Sequence, residues 1–514
     1  MITGNIAGNF LDNPFFKTFI TKLRPSYKLP PRNSKYANTL VPAEFDRVQL
    51  AVKKATNETD FLSMSSDGWT DVNGSRLINI IVHTPKPYLF NSINATSDAH
   101  DGVFICKVLS SEIEKLGPQK IVALVTDNAP NMKAAWKLIN QSYPWIVCEG
   151  CKAHGVDLAA KDLCKLDFVS EIVNKCIEVA KFFRKTVPKL VLEELQRSTV
   201  GRSHVIPLPS NTRWSSTWRL LESIKKNESC LKSCIWLPKI VDDKELRKNM
   251  NRLTELRQIL CEDRHFWKQL SLIEELLHPF KTAISSIEGS VVDVRKSYKI
   301  VETSFDKANE IATKFSADEM EEITEILDNR RDFCRSDLVH LLELLDPTER
   351  GQNLSAEEDE IAMMLLTNKI LRNPVFAGRE SQALVEIAQF KSKTGVFESR
   401  HWAWKAVENG RLEAVSFWPG FFSDTVLSTV FKSLQMIPVT SAASERNWSI
   451  RGAIHTDVRN RLAVETTSKL TYIKHNLILE HCDLFKIDRQ RNAKEPNEEV
   501  FVEDDDDEII IDDF

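Results

Sequence analysis

The sequence predicts an α/β core followed by a long all-helical stretch. Three observations predict it. Segments between residues 61 and 155 read in the order βββαβαβ, the run Ile121–Val125 is apolar without alternation and stops at Thr126-Asp127, and from 156 to 437 apolar residues recur at helical spacing. An apolar run without alternation suits a strand buried on both faces of a sheet. Open α/β sheets keep their chemistry at the carboxyl ends of such strands.

Taken in order, Phe10 to Leu23 is a helix by the spacing of Phe15, Phe16, Phe19, Ile20 and Leu23. The proline-broken connector Arg24 to Arg32 follows, then a second helix from Ala43 to about Thr56. Phe61 to Thr70, Leu77 to His83 and Tyr88 to Ala95 are three strands, turned at the Gly74 region and at Thr84-Pro-Lys-Pro87. Asp101 to Leu116 is an amphipathic helix stopped by Gly117-Pro118. The strand ending at Asp127 leads into a helix with Pro130 in its first turn, running to about Gln141, and Trp145 to Cys148 is a fifth strand.

Beyond Ala153 helical spacing is clear in Val169–Phe183, Leu253–Ile287, Val291–Phe315, Met320–Leu345, Glu357–Leu371 and Ala383–Phe390. The Trp-rich stretch Phe397 to Phe422 reads as a packed connector, and Thr440 to Leu479 is again helical. The domain expectation is a helical segment 1–60, a first core part 61–155, a helical insertion 156–437, a core completion with dimerisation region 438–482, and a tail 483–514.

Charge is unevenly placed. Of the chain's formal net charge of -5, eleven negative charges and no positive one lie between Glu495 and Phe514, so the remainder stands at +6. An acidic tail, expected to be disordered, thus follows a mildly basic body compatible with a nucleic-acid partner. No apolar run approaches the roughly 18 residues a bilayer crossing needs, and Met1-Ile-Thr-Gly-Asn5 lacks a secretory start, so the expectation is an intracellular protein without membrane contact. The ten cysteines are spread from Cys106 to Cys482 and read as reduced thiols. Cys148, Cys151 and His154 place three zinc-type ligands within seven residues, but no fourth stands at finger spacing, which argues against zinc.

A lone aspartate between a strand and a helix is more often a cap than a ligand. Asp67 changes that balance. A meander of three strands, followed by a helical crossover to a strand lying parallel beside the first, sets Asp67 and Asp127 at neighbouring strand positions. Two such carboxylates repel each other, and a divalent cation between them makes a hard oxygen site of the kind used in two-metal phosphoryl transfer.

Six blocks, in order along the chain, carry a resemblance. They are Arg24-Pro-Ser-Tyr-Lys-Leu-Pro30, Ser66-Asp67-Gly-Trp-Thr-Asp71, Thr126-Asp127-Asn-Ala-Pro-Asn-Met132, Cys151-Lys-Ala-His154, Asn211-Thr-Arg213-Trp214-Ser-Ser216 and Ser441-Ala-Ala-Ser-Glu445-Arg446-Asn-Trp448-Ser449. Over residues 10 to 480 the chain resembles hAT-superfamily DNA transposases. The resemblance implies a ribonuclease-H-like mixed sheet interrupted by a large all-helical insertion. It also implies Mg²⁺ (or Mn²⁺) chemistry on DNA at transposon ends and target, a C-terminal dimerisation region, and a nuclear location.

By the same resemblance Glu445, in the block with Arg446, completes a metal-binding set with Asp67 and Asp127; from the residues alone it reads equally as a helix-start glutamate. The family's Cys-x-x-His is matched by Cys151 and His154, with His154 placed near the catalytic centre; its plain alternative is a core histidine. Arg213 would hold backbone phosphate and Trp214 would stack on a flipped base, whereas by spacing Trp214 and Trp218 are core aromatics. The segment Asp457 to Leu477 resembles the dimerisation region and equally reads as packing against the core. Many members begin with a BED-type zinc finger, which nothing in this sequence builds. The expectations are therefore a metal-dependent transposase or, alternatively, a host-adopted, catalytically inactive DNA-binding and dimerising protein. A cellular ribonuclease would have no use for the insertion.

Overall fold

The structure, a computed structural model, describes residues 1–482 except 99, 211–213, 249, 290–292, 409–411 and 457–458. The acidic tail and Arg213 lie outside the described residues. The chain folds as two compact units. The first comprises Met1–Cys151, Val291–Tyr298 and the chain from Ser336 to the last described residue, Cys482; the second comprises Lys152–Ser290 and Lys299–Arg335.

In the first unit five strands, β1 (Leu62–Thr70), β2 (Arg76–His83), β3 (Pro87–Asn94), β4 (Ile121–Thr126) and β5 (Val147–Gly150), form one mixed sheet in the order β3-β2-β1-β4-β5. The β1–β2 and β2–β3 pairs are antiparallel, and β1–β4 and β4–β5 are parallel. Connection length explains the mixture. The β1–β2 turn is five residues, shaped by Asp71 Oδ1, which accepts the N–H groups of Asn73 (2.9 Å) and Ser75 (2.8 Å). The parallel pairs need the longer crossovers that two helices supply, Gly102–Leu116 (α3) and Pro130–Ser142 (α4). Two earlier helices, Pro14–Leu23 (α1) and Val41–Glu58 (α2), precede the sheet.

All six residues of β4 are buried, as an unalternating apolar strand requires. Met64, Ile78, Ile80, Val82 and Leu124 pack with Ile105, Leu109 and Ile113 of α3 and with Met132, Ala135 and Ile139 of α4. Val122, Ala123, Val125 and Val147 pack instead with residues from the last third of the chain, among them Leu341, Leu366, Phe376 and Trp418. The Trp-rich connector belongs to this second cluster: the rings of Phe390, Phe397, Phe417, Trp418 and Phe422 interlock, and Trp418 Nε1 donates to Leu345 O at 3.0 Å.

Edge strand β3 is covered by the terminal helix, Val464–Glu480, whose Asn476 amide accepts the Leu89 N–H and donates to the Leu89 carbonyl, both at 3.0 Å. This side-chain pairing stands in for a missing neighbour strand. Val48 and Val52 of α2 share a cluster there with Ile81, Leu89, Ala443 and Tyr472.

The second unit is helical. Its longest helix, Arg264–Ile287, buries Phe266, Leu270, Ile273, Leu277 and Phe280 in one core with Trp214, Trp218, Leu221 and Phe305. Two long helical patterns are broken where a polar side chain offers a better use of free N–H groups. Asp263 accepts Phe266 N at 2.9 Å and starts a new helix inside Leu253–Ile287, and Asn13 accepts Phe16 N at 3.1 Å and divides Phe10–Leu23. Ser316 and Glu319 form a capping box ahead of Ala317–Cys334, in the gap expected between Val291–Phe315 and Met320–Leu345. The fifth strand starts two residues later than its apolar run, since Trp145 turns its indole to donate to Pro118 O. Among the described residues no helix is long and apolar enough to cross a membrane.

Candidate active site

Asp67 and Asp127 meet through strand register. β1 and β4 pair in parallel with Met64 opposite Leu124 and Ser65 opposite Val125. Two residues further on, the same register brings Asp67 beside Asp127. Asp67 is still inside β1 and pairs with Asn79 of β2, whereas Asp127 lies just past β4, where its Oδ1 accepts the Ala129 N–H at 3.2 Å and turns the chain into α4. The helix cap position is Ala129, with no side-chain cap, so Asp127 shapes the turn ahead of α4 rather than capping it. The Asn128 side chain fits against Gly150, where an added Cβ would stand 2.1 Å from Asn128 Oδ1 and displace it.

Glu445 arrives from far along the chain on the helix Ala442–Ile454, which packs on β1 and β2. A chain of polar contacts fixes this helix. Cys151 Sγ accepts the Ser441 N–H at 3.2 Å ahead of its first turn, and Cys151 N itself donates to Thr126 O at 2.8 Å, so the ends of β4 and β5 hold the start of the Glu445 helix. Asn79, the polar residue inside the apolar run of β2, accepts Asp67 N at 3.1 Å through Oδ1 and donates through Nδ2 to Ser444 O at 3.0 Å. Trp448 Nε1 donates to Asp67 Oδ2 at 3.1 Å, and its ring stacks on Trp69 at 5.4 Å between centroids. Asp67 Oδ1 takes the Gly68 N–H at 2.9 Å.

The electrostatic result is a carboxyl pushed up to about 7: burial of Asp67 raises it most, then the negative charges of Glu445 and Asp127, while the Gly68 and Trp448 hydrogen bonds oppose the rise only partly. Beneath the site, His83 is held near 3 and His475 near 4, each chiefly by burial, so both imidazoles are neutral. Ser65 Oγ lies 2.9 Å from His83 Nε2 and 3.3 Å from Ser444 Oγ, which completes a polar floor under the carboxylates.

This donor set fits a hard divalent cation in kind: three carboxylates whose mutual repulsion a positive charge would relieve. As placed, among the described residues, no three His, Cys, Asp or Glu side chains converge closely enough to hold a metal ion. Arg446 follows Glu445 on the exposed side of the helix and adds positive potential at His83 and His475.

Other residues singled out in the sequence stand elsewhere. Cys151 is buried and engaged with Ser441, and Cys148 faces Asn140 Nδ2 at 3.7 Å with its thiol pushed up to about 12 by burial. His154 lies, partly buried, in the first turn of the helix Lys152–Leu163, in the second unit. Trp214 is only 5% exposed and belongs to that unit's hydrophobic core, as the packing alternative requires. Asn79 and Trp448 were missed by sequence reasoning. The signal for Asn79 was present, an amide in the middle of Leu77-Ile-Asn-Ile-Ile81; Trp448 carried none beyond its place in a motif block.

Residues 31–179, which include all five strands, match the family model of a domain of unknown function (DUF659). Residues 398–477, which include the Glu445 helix and most of the terminal helix, match that of the hAT family C-terminal dimerisation region. No curated protein matches the chain. The second match supports assembly into a homodimer or higher oligomer. The sheet that bears Asp67 and Asp127 lies inside one match and the helix that bears Glu445 inside the other, and together the two matches support kinship with hAT-family transposases.

Proposed function

We propose that the protein is a metal-dependent hAT-type transposase that cleaves DNA strands at transposon ends and transfers them to target DNA in the nucleus, using Asp67, Asp127 and Glu445 on a ribonuclease-H-like core. The observation that carries this reading is the β1–β4 register, which sets two aspartates side by side, together with the Trp448 hydrogen bond that ties the Glu445 helix to one of them. A sheet of three antiparallel strands extended by two parallel ones supports the ribonuclease-H-like assignment.

Asp67, Asp127 and Glu445 would hold Mg²⁺ or Mn²⁺, which when bound supplies charge neutralisation for the attacking and leaving oxygens of a phosphodiester. The chain's own contribution is placement. Asn79 and Trp448 fix the Asp67 carboxylate from its backbone and side-chain ends, so its orientation is set before substrate arrives. The neutral His83 and His475 keep positive charge out of the floor and leave the negative potential at the carboxylates intact. Because the Asp67 carboxyl stands near 7, exchange of its proton for a cation falls within the neutral range. Roles for His154 in orienting phosphate or a proton, and for Arg213 on backbone phosphate, belong to this reading as well.

The test is strand cleavage of a labelled hAT-type end duplex with Mg²⁺ or Mn²⁺. The parent protein nicks it, and Asp127→Asn lowers the rate by about a hundredfold or more at unchanged melting temperature, since charge and ligand geometry are lost together. Equal cleavage by the variant sinks the catalytic assignment. Binding without cleavage by the parent instead supports a host-adopted, catalytically inactive DNA-binding protein.

A further inference from the structure

From Asn13 to Ala43 the chain carries six cations, Lys17, Lys22, Arg24, Lys28, Arg32 and Lys35, and no carboxylate. All six are exposed. Lys17 and Arg32 approach only Asp12, at 4.0 and 3.9 Å, and among the described residues Lys22, Arg24, Lys28 and Lys35 have no ion-pair partner. Through this basic arm runs an apolar stripe on α1, with Phe15 at 84% exposure, Phe19 at 56% and Leu23 at 67%, spaced i, i+4, i+8, and no residue of α1 is buried. A helix face of this kind is normally covered.

We propose that its cover is the chain's own acidic tail, residues 495–514, which occupies the arm within one molecule and keeps it from other polyanions. Three observations select this occupant. The tail has opposite charge, eleven carboxylates including the run Glu503 to Glu508. It also has the apolar groups the stripe needs, in Val500-Phe501-Val502, Ile509-Ile510-Ile511 and Phe514, set between its acids. Nucleic acid answers the charge but offers the stripe no aliphatic side chains, and a second copy of the arm would meet six cations with six cations.

The third observation is reach. The terminal helix and the segment before it hold the N-terminal segment directly, with Lys474 Nζ of the helix donating to Asn5 Oδ1 and Arg459 Nη1, ahead of the helix, to Asn5 O. Lys474 is six residues before the helix end at Glu480, about 9 Å along its axis. Gly8–Asp12 continues from Asn5 to α1, where the Phe10 and Phe16 rings meet at 4.6 Å. The tail therefore leaves the fold close to where the arm is rooted. The thirteen residues from Cys482 to Glu495 span up to about 43 Å when extended, more than the distance to be covered along the helix. Attachment raises the effective concentration of tail at the arm to the millimolar range, so weak pairing suffices.

The test uses the full chain. Zero-length carbodiimide coupling in low salt, applied to a mixture of isotopically light and heavy protein, is expected to join Lys22, Lys28 or Lys35 to carboxylates between Glu503 and Glu508 within the same copy, and to do so less in 0.5 M NaCl. The variant D504N/D505N/D506N/D507N/E508Q is expected to lose those links and to bind heparin, a polyanion with no base sequence, about tenfold more tightly than the parent. A variant that binds heparin no better than the parent overturns the proposal. So do arm–tail links found only between copies, or links from the tail to other surfaces alone.

Discussion

Asp67 is where the site's opposing demands meet in one side chain. Its carboxyl is held at about 7 in the folded protein, against about 3.9 for an unfolded aspartate. Between those values the folded chain keeps a proton that the unfolded chain has lost, so this group makes stability fall as pH rises from about 4 to about 7, by at most about 4 kcal/mol. Asp67→Asn can still accept the Trp448 N–H while removing the charge. The variant is expected to melt higher than the parent at pH 8 without divalent cations and at the same temperature at pH 4; a constant difference across that range would mean Asp67 does not titrate near neutrality. Trp214 presents the opposite case. By spacing it read as a core aromatic and by resemblance as a base-stacking residue, and it lies in the helical core. Trp214→Ala is thus expected to cost about 3 to 5 kcal/mol of stability in chemical denaturation, and a cost under 1 kcal/mol would show that its ring is not packed.

At the scale of elements, the Glu445 helix depends on contacts that no local pattern announces. Cys151 looked like half of a metal or catalytic pair because it stands three residues before His154; its sulfur instead receives the Ser441 N–H and anchors the helix start. Cys151→Ala leaves that buried N–H unsatisfied, which costs about 1 to 3 kcal/mol. It should also slow cleavage more than it lowers substrate affinity, because Glu445 is then held less firmly; stability equal to the parent would remove the anchoring role. Strands β1 to β5 and helices α2 to α4 were legible because period, caps and glycine stops agreed with one another along short stretches. Helix breaks at Asn13 and Asp263 were less so, since apolar spacing runs across them and only the cap decides.

For the whole molecule, the α/β character and the helical majority followed from segment order. The passage of the chain between its two units did not. Helical spacing is uninterrupted in kind on either side of Arg335 and Ser336, yet the chain changes unit there, because which core a helix joins depends on distant partners such as Phe376 and Trp418 packing on the β4 face. The same is true of the site. Asp67 and Asp127 could be paired from strand order alone, but Glu445 lies more than 300 residues further on, and only family resemblance pointed to it. On the proposed function these three carboxylates act as one cation site. Calorimetric titration of the parent with Mn²⁺ at pH 7, in buffers of different ionisation heat, tests it most directly. Binding accompanied by proton release, weakened at least about tenfold, or ~1.4 kcal/mol, in each of Asp67→Asn, Asp127→Asn and Glu445→Gln, is the expected result. Mn²⁺ affinity unchanged in the Glu445→Gln protein would contradict it.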